Sequence, residues 1–97
     1  MKTKEVAKLY EKYNDEFSEF EKVEPKRSQR PDLHAFLLID ELVPGNEDII
    51  SASEHDQFWI SVDGEKLRKK LTEKLIIELN RCGVIYDEEY DGFYVFT

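Results

Sequence analysis

The chain has 97 residues and a net charge of −8, with 37% charged and 40% hydrophobic residues. That length suits one domain, and 12% aromatic residues exclude an intrinsically disordered chain. The single cysteine, Cys82, excludes an internal disulfide, no apolar run reaches membrane-spanning length, and the basic N-terminus lacks the apolar core of a signal peptide; the expectation is a cytoplasmic protein without a membrane partner.

The charge is unevenly placed. Residues 32–63 carry eight acids and no Lys or Arg, and residues 83–97 carry four acids and no base. Between them, residues 64–82 hold six bases against Glu65, Glu73 and Glu78. Such a chain is repelled by nucleic acid overall and attracted to basic protein surfaces.

In the first segment, residues 1–23, Val6, Leu9, Tyr10, Tyr13, Phe17 and Phe20 recur at spacings of three and four. This predicts an amphipathic helix from Lys4 to Lys22, with Thr3 as its N-cap. Tyr10, Tyr13, Phe17 and Phe20 form its aromatic stripe, docked either on the chain's own core or on a second copy as a homodimer interface. Residues 24–32 carry Pro25 and Pro31 with Lys26, Arg27 and Arg30 between or beside them, and read as a linker. Residues 33–97 form the compact α+β part, so 1–97 is one domain.

Asp32 is read as the cap of a short, mostly buried helix from Leu33 to Val43, ended by Pro44-Gly45, with a strand left open as the alternative. Asn46 followed by Glu47 and Asp48 predicts a helical turn through Ile49 and Ile50, although residues 47–54 do not separate helix from strand. Phe58 to Val62 reads as a strand. Leu67, Leu71, Leu75 and Leu79 predict a helical block after Asp63-Gly64, in which Thr72 either faces solvent or caps a second helix. Gly83 stops it. Val84-Ile85-Tyr86 and Phe93-Tyr94-Val95-Phe96 around a polar loop ending in Asp91-Gly92 predict a hairpin.

The expected fold is therefore α+β: an N-terminal amphipathic helix, further helices and a small antiparallel sheet ending in a C-terminal β-hairpin. From Leu33 onward the order of elements also matches a winged helix, in which the last helix reads the major groove and the hairpin is the wing. Lys66, Arg68, Lys69, Lys70 and Lys74 would suit phosphates. The wing, however, offers Asp87, Glu88, Glu89 and Asp91, and each carboxylate would face a phosphate.

No residue pattern calls for a catalytic group, a cofactor or a metal. His34 and His55 are the only histidines, and the neighbours Glu54-His55-Asp56 are too close in sequence to converge readily on one ion. Cys82, at the end of a helix near its apolar face, reads as a buried structural thiol. Asp87, Glu88, Glu89 and Asp91 are the candidate partner-binding residues.

The stretches Glu54-His55-Asp56, Trp59-Ile60-Ser61-Val62-Asp63, Arg81-Cys82-Gly83-Val84 and Tyr86-Asp87-Glu88-Glu89 resemble small uncharacterised acidic proteins of phage and prophage type. The likeness covers the C-terminal half. It implies a mobile-element origin and action by binding host or phage proteins. The residues and the resemblance together point to a non-enzymatic interaction domain for a basic protein surface. The rival readings are a winged-helix DNA-binding protein and, more distantly, a small metal-dependent hydrolase built around His55.

Overall fold

In the computed structural model, which describes residues 1–96, the first helix, α1, spans Thr3–Lys12. It starts where the Glu5 carboxylate accepts a hydrogen bond from the Lys2 amide at 3.1 Å, so Thr3 is the first helical residue rather than the cap. The expected helix to Lys22 does not form. After Tyr13 the chain makes two 3-10 turns, Asn14–Glu16 and Phe20–Lys22, separated by Ser18 at φ 60°. The cause lies far away in sequence. Asn80, 3% exposed, donates its side-chain amide to the Tyr13 carbonyl at 2.7 Å, and its own carbonyl accepts from the Ser18 amide at 3.1 Å. These bonds satisfy groups that a continuing helix would have paired within itself.

The next helix, α2, spans Pro31–Leu42. Pro31 occupies the first helical turn, where its missing N–H costs nothing, and Asp32 therefore sits inside the helix instead of capping it. The strand alternative for this segment falls away. Residues 50–54 correct the expected helical turn: Ile50–Glu54 is strand β1, paired antiparallel with β2, Gln57–Ile60, through a tight turn at His55-Asp56. Its Ser-Ala-Ser centre has little propensity of its own, and pairing with Phe58 and Trp59 decides the outcome.

Asp63 caps α3, Gly64–Lys70, by accepting from the Lys66 amide, and Thr72 caps α4, Glu73–Arg81, by accepting from the Leu75 amide. Thr72 thus divides the leucine series into two helices. Gly83, at φ 86°, turns the chain into β3, Val84–Asp87, which pairs with β4, Gly92–Phe96, as the expected hairpin. The sheet order is β1-β2-β4-β3, antiparallel throughout. The helix-strand-helix-helix-hairpin order is present with one added edge strand, β1, and the class is α+β.

One apolar cluster joins α1 to the rest, running from Val6 through Leu38, Ile39, Leu67, Ile76 and Leu79 to Phe93 on the sheet. The end of the first segment is drawn into it through Val23, 2% exposed. Buried His34 accepts from the Arg27 amide at Nδ1, 3.0 Å, which leaves Nε2 to donate to Glu78 at 2.8 Å. The tautomer of a buried imidazole is fixed by its neighbours, and here both are backbone and carboxylate groups that need it. No helix among the described residues is long and apolar enough to cross a membrane.

Replacing Asn80 by Ala leaves the Tyr13 carbonyl without its donor. The expected cost is about 1–3 kcal/mol, read as a lower urea midpoint. An unchanged midpoint would show that the turn after α1 holds without that amide.

Candidate functional site

The four acids of the hairpin loop are not equivalent once folded. Asp91, at φ 49°, turns its carboxylate back onto α3, where Arg68 donates through Nε at 2.9 Å and Nη2 at 2.8 Å. The Tyr86 hydroxyl donates to the same carboxylate at 2.7 Å. The loop lies so close to α3 that a Cβ on Gly64 would meet the Asp91 carbonyl oxygen at 2.3 Å, so only glycine fits there. Asp87 accepts from the Tyr90 amide at 3.2 Å and shapes the loop itself. Glu88 and Glu89 are exposed and make no ion pair among the described residues. Two of the four carboxylates therefore hold the loop, and two face solvent.

The aromatic stripe of the first segment is likewise divided. Tyr10 packs inward on Tyr86 and Phe93, with ring centroids 6.3 and 6.5 Å away. Its hydroxyl is buried without a hydrogen-bond partner among the described residues. The Tyr13 hydroxyl donates to Glu73 at 2.6 Å. Phe20 meets the buried His34 ring edge-on at 5.7 Å, and Lys26 lies over its face. Phe17 alone points outward, 43% exposed. The four rings do not share one face, because the chain leaves the helical path at Tyr13.

Phe17 instead forms one wall of an apolar cleft of about 620 Å³ between α2 and the end of the sheet. Phe36, Ile50, Phe58, Val95 and Phe96 supply the other walls, and Gly83 and Cys82 lie among them. Phe96 and Ile50 are 51% and 40% exposed. On α2, Phe36 continues into Leu33 and Leu37, both exposed, so the helix carries apolar residues on its outward as well as its inward side. A helix apolar all round normally has both sides covered. The α2 and β1 walls belong to the stretch 32–63 that has eight acids and no base. The continuous apolar run of α2 was the available signal for this surface, and sequence alone reads it as burial within the chain.

The potential chemical groups are quiet. Burial, with Glu78 adding to it, pushes the Cys82 thiol up to about 12, so it stays protonated at neutral pH. His55 sits exposed at the β1–β2 turn with φ 51°. No group of three or more His, Cys, Asp or Glu is placed to hold a metal ion among the described residues. Three of the six bases of the helical block are engaged: Arg68 is bound to Asp91, Lys69 pairs with Glu65, and Arg81 donates to Glu16 at 2.7 Å.

Arg68 hydrogen bonding holds the Asp91 carboxyl below its ordinary 3.8, with Tyr86 acting in the same direction. A lowered folded value means that the stabilisation is full above about pH 4 and is lost as pH falls through that lowered value. Asp91→Asn should thus lower the melting temperature at pH 6, with the gap to the wild-type chain closing as pH falls through that lowered value. A gap that stays constant down to acid-induced unfolding would show that the pair does not couple to folding.

No family model, no curated protein and no solved structure matches this chain.

Proposed function

We propose that this protein is a non-enzymatic interaction domain whose α2–sheet cleft takes the apolar face of a basic partner segment. The observation that carries this reading is an exposed apolar cleft to which the acidic, base-free stretch contributes Asp32, Phe36, Ile50 and Phe58. Phe17, Ile50 and Phe96 remain in water, and exposed apolar patches of this kind mark interaction surfaces. The flanking charges choose the occupant. Asp32 lies on the cleft wall, and Asp40, Glu47 and Asp48 are exposed further along α2 and ahead of β1, so a second copy docked there would meet a field of like sign, whereas a basic segment is attracted and steered. An amphipathic segment laid into an apolar groove is a common recognition mode. The likeness of the C-terminal half to phage and prophage proteins belongs to the same proposal, with a host or phage protein as the partner.

The element order from α2 onward keeps the DNA-reading alternative in view, and the surroundings of α4 weigh against it. Three of its polar side chains are engaged by the N-terminal segment: Glu73 by Tyr13 and Lys12, buried Asn80 by Tyr13, and Arg81 by Glu16. A helix wrapped in this way does not present its face to a groove, and Glu88 and Glu89 sit at the wing tip.

A synthetic amphipathic peptide of Leu and Lys tests the reading. It should bind with a micromolar dissociation constant by calorimetry, and a Leu and Glu peptide should not bind. Phe17→Ser combined with Phe96→Ser removes two exposed rings and should weaken binding by about tenfold or more, with little change in melting temperature. Equal affinity for the double variant would place the binding site elsewhere.

A further inference from the structure

The outward face of the sheet carries a second cavity, separate from the α2 cleft. It has a volume of about 440 Å³ and is lined by Ser51, Glu54, Trp59, Tyr90, Asp91 and Gly92 among others. Two of its walls are aromatic and nearly perpendicular: the Trp59 and Tyr90 rings stand 5.9 Å apart at 80°. Trp59 is backed by its cross-strand partner Tyr94 at 4.9 Å. Gly92 lets the indole lie against the backbone, since a Cβ there would meet Trp59 at 3.1 Å. Tyr90 is not held by burial, being 70% exposed. The loop beneath it is fixed by the Asp91–Arg68 pair and by the bond of its own amide to Asp87.

The two rings meet edge to face and form a corner, or wedge, in the cavity wall, and the negative faces of aromatic rings attract a cation. The charges on the cavity wall have the same sense. Glu54 shares the outward side of β1 with the position opposite Trp59, since Ala52 pairs with Trp59 and Glu54 with Gln57. Glu54 makes no ion pair among the described residues. Both Asp91 oxygens are already engaged, so Glu54 is the carboxylate left to meet a ligand.

We infer that the wedge between Trp59 and Tyr90 binds a cationic side chain of the partner, an arginine guanidinium stacked on the indole with Glu54 beside it. Arginine suits the site because its flat, weakly hydrated head stacks on aromatic faces while still donating to a carboxylate. This site rests on the proposed basic partner and names one group by which that partner is read.

Trp59 is the sole tryptophan, so its fluorescence reports the wedge directly. Hexa-arginine should change the emission of the full chain saturably, and hexa-citrulline, its neutral counterpart, should not. Tyr90→Ala keeps the net charge and should weaken binding about three- to tenfold, while Tyr90→Phe keeps the ring and the affinity. Glu54→Gln should weaken it more than Glu47→Gln, which removes the same charge elsewhere. Calorimetric binding of hexa-arginine that leaves Trp59 emission unchanged, or that is indifferent to Tyr90→Ala, overturns the wedge and leaves the acidic interaction reading standing. Absence of any calorimetric binding overturns the wedge, while the Leu and Lys peptide judges the cleft independently.

Discussion

The ion pair between Arg68 and Asp91 ties the hairpin loop to α3 and sets the geometry of the aromatic cavity beside it. Its side chains are 15% and 30% exposed, so water screens it only in part. Two parallel N–H···O bonds fix its direction as well as its distance. Without this tie the hairpin loop would be a free acidic tip projecting from the sheet. With it, the loop folds back over Gly64, the Tyr86 hydroxyl is satisfied, and Tyr90 is carried to the edge of Trp59. Arg68 also donates to the Met1 carbonyl at 3.1 Å, so the start of α1 is tied to the same point.

The same logic explains where the negative charge goes. Several carboxylates are consumed in holding elements together: Glu16 by Arg81, Glu73 by Tyr13, Glu78 by His34 and Asp91 by Arg68. Those of the stretch 32–63 are mostly left in water; the exceptions are Glu41, paired with Arg27, and Asp63, which caps α3. Acids near the helical block are thus structural, and acids around α2 and β1 shape a field. Beside that field stand exposed Phe and Ile side chains, which lose free energy by remaining hydrated unless a partner covers them.

Local signals carried the elements whose cause was local. The hairpin, the glycine stop and the burial of Cys82 all follow from neighbours in sequence, and the Thr72 cap is one of the two readings its position allows. The first helix did not, because the carbonyl of Tyr13 is claimed by Asn80 across 67 residues, and no periodicity reveals such a bond. Strand β1 was hidden for a related reason: Ser51, Ala52 and Ser53 become a strand through Phe58 and Trp59 rather than by their own preference. The site was legible in charge but not in place. The acidic block was plain, whereas the assembly of Phe17, Phe36, Ile50, Phe58 and Phe96 needed the fold. Asp91 looked like one more solvated acid because its arginine lies on another element.

The central claim is that the amphipathic basic segment is taken at the apolar cleft between α2 and the end of the sheet. Amide chemical-shift mapping of the 15N-labelled chain during titration with the Leu and Lys peptide tests it most directly. The account predicts that the largest shifts fall on residues 17–18, 32–37, 50, 58 and 95–96 around the cleft. Shifts confined to Glu88, Glu89 and their neighbours, with the cleft amides unmoved, would contradict it.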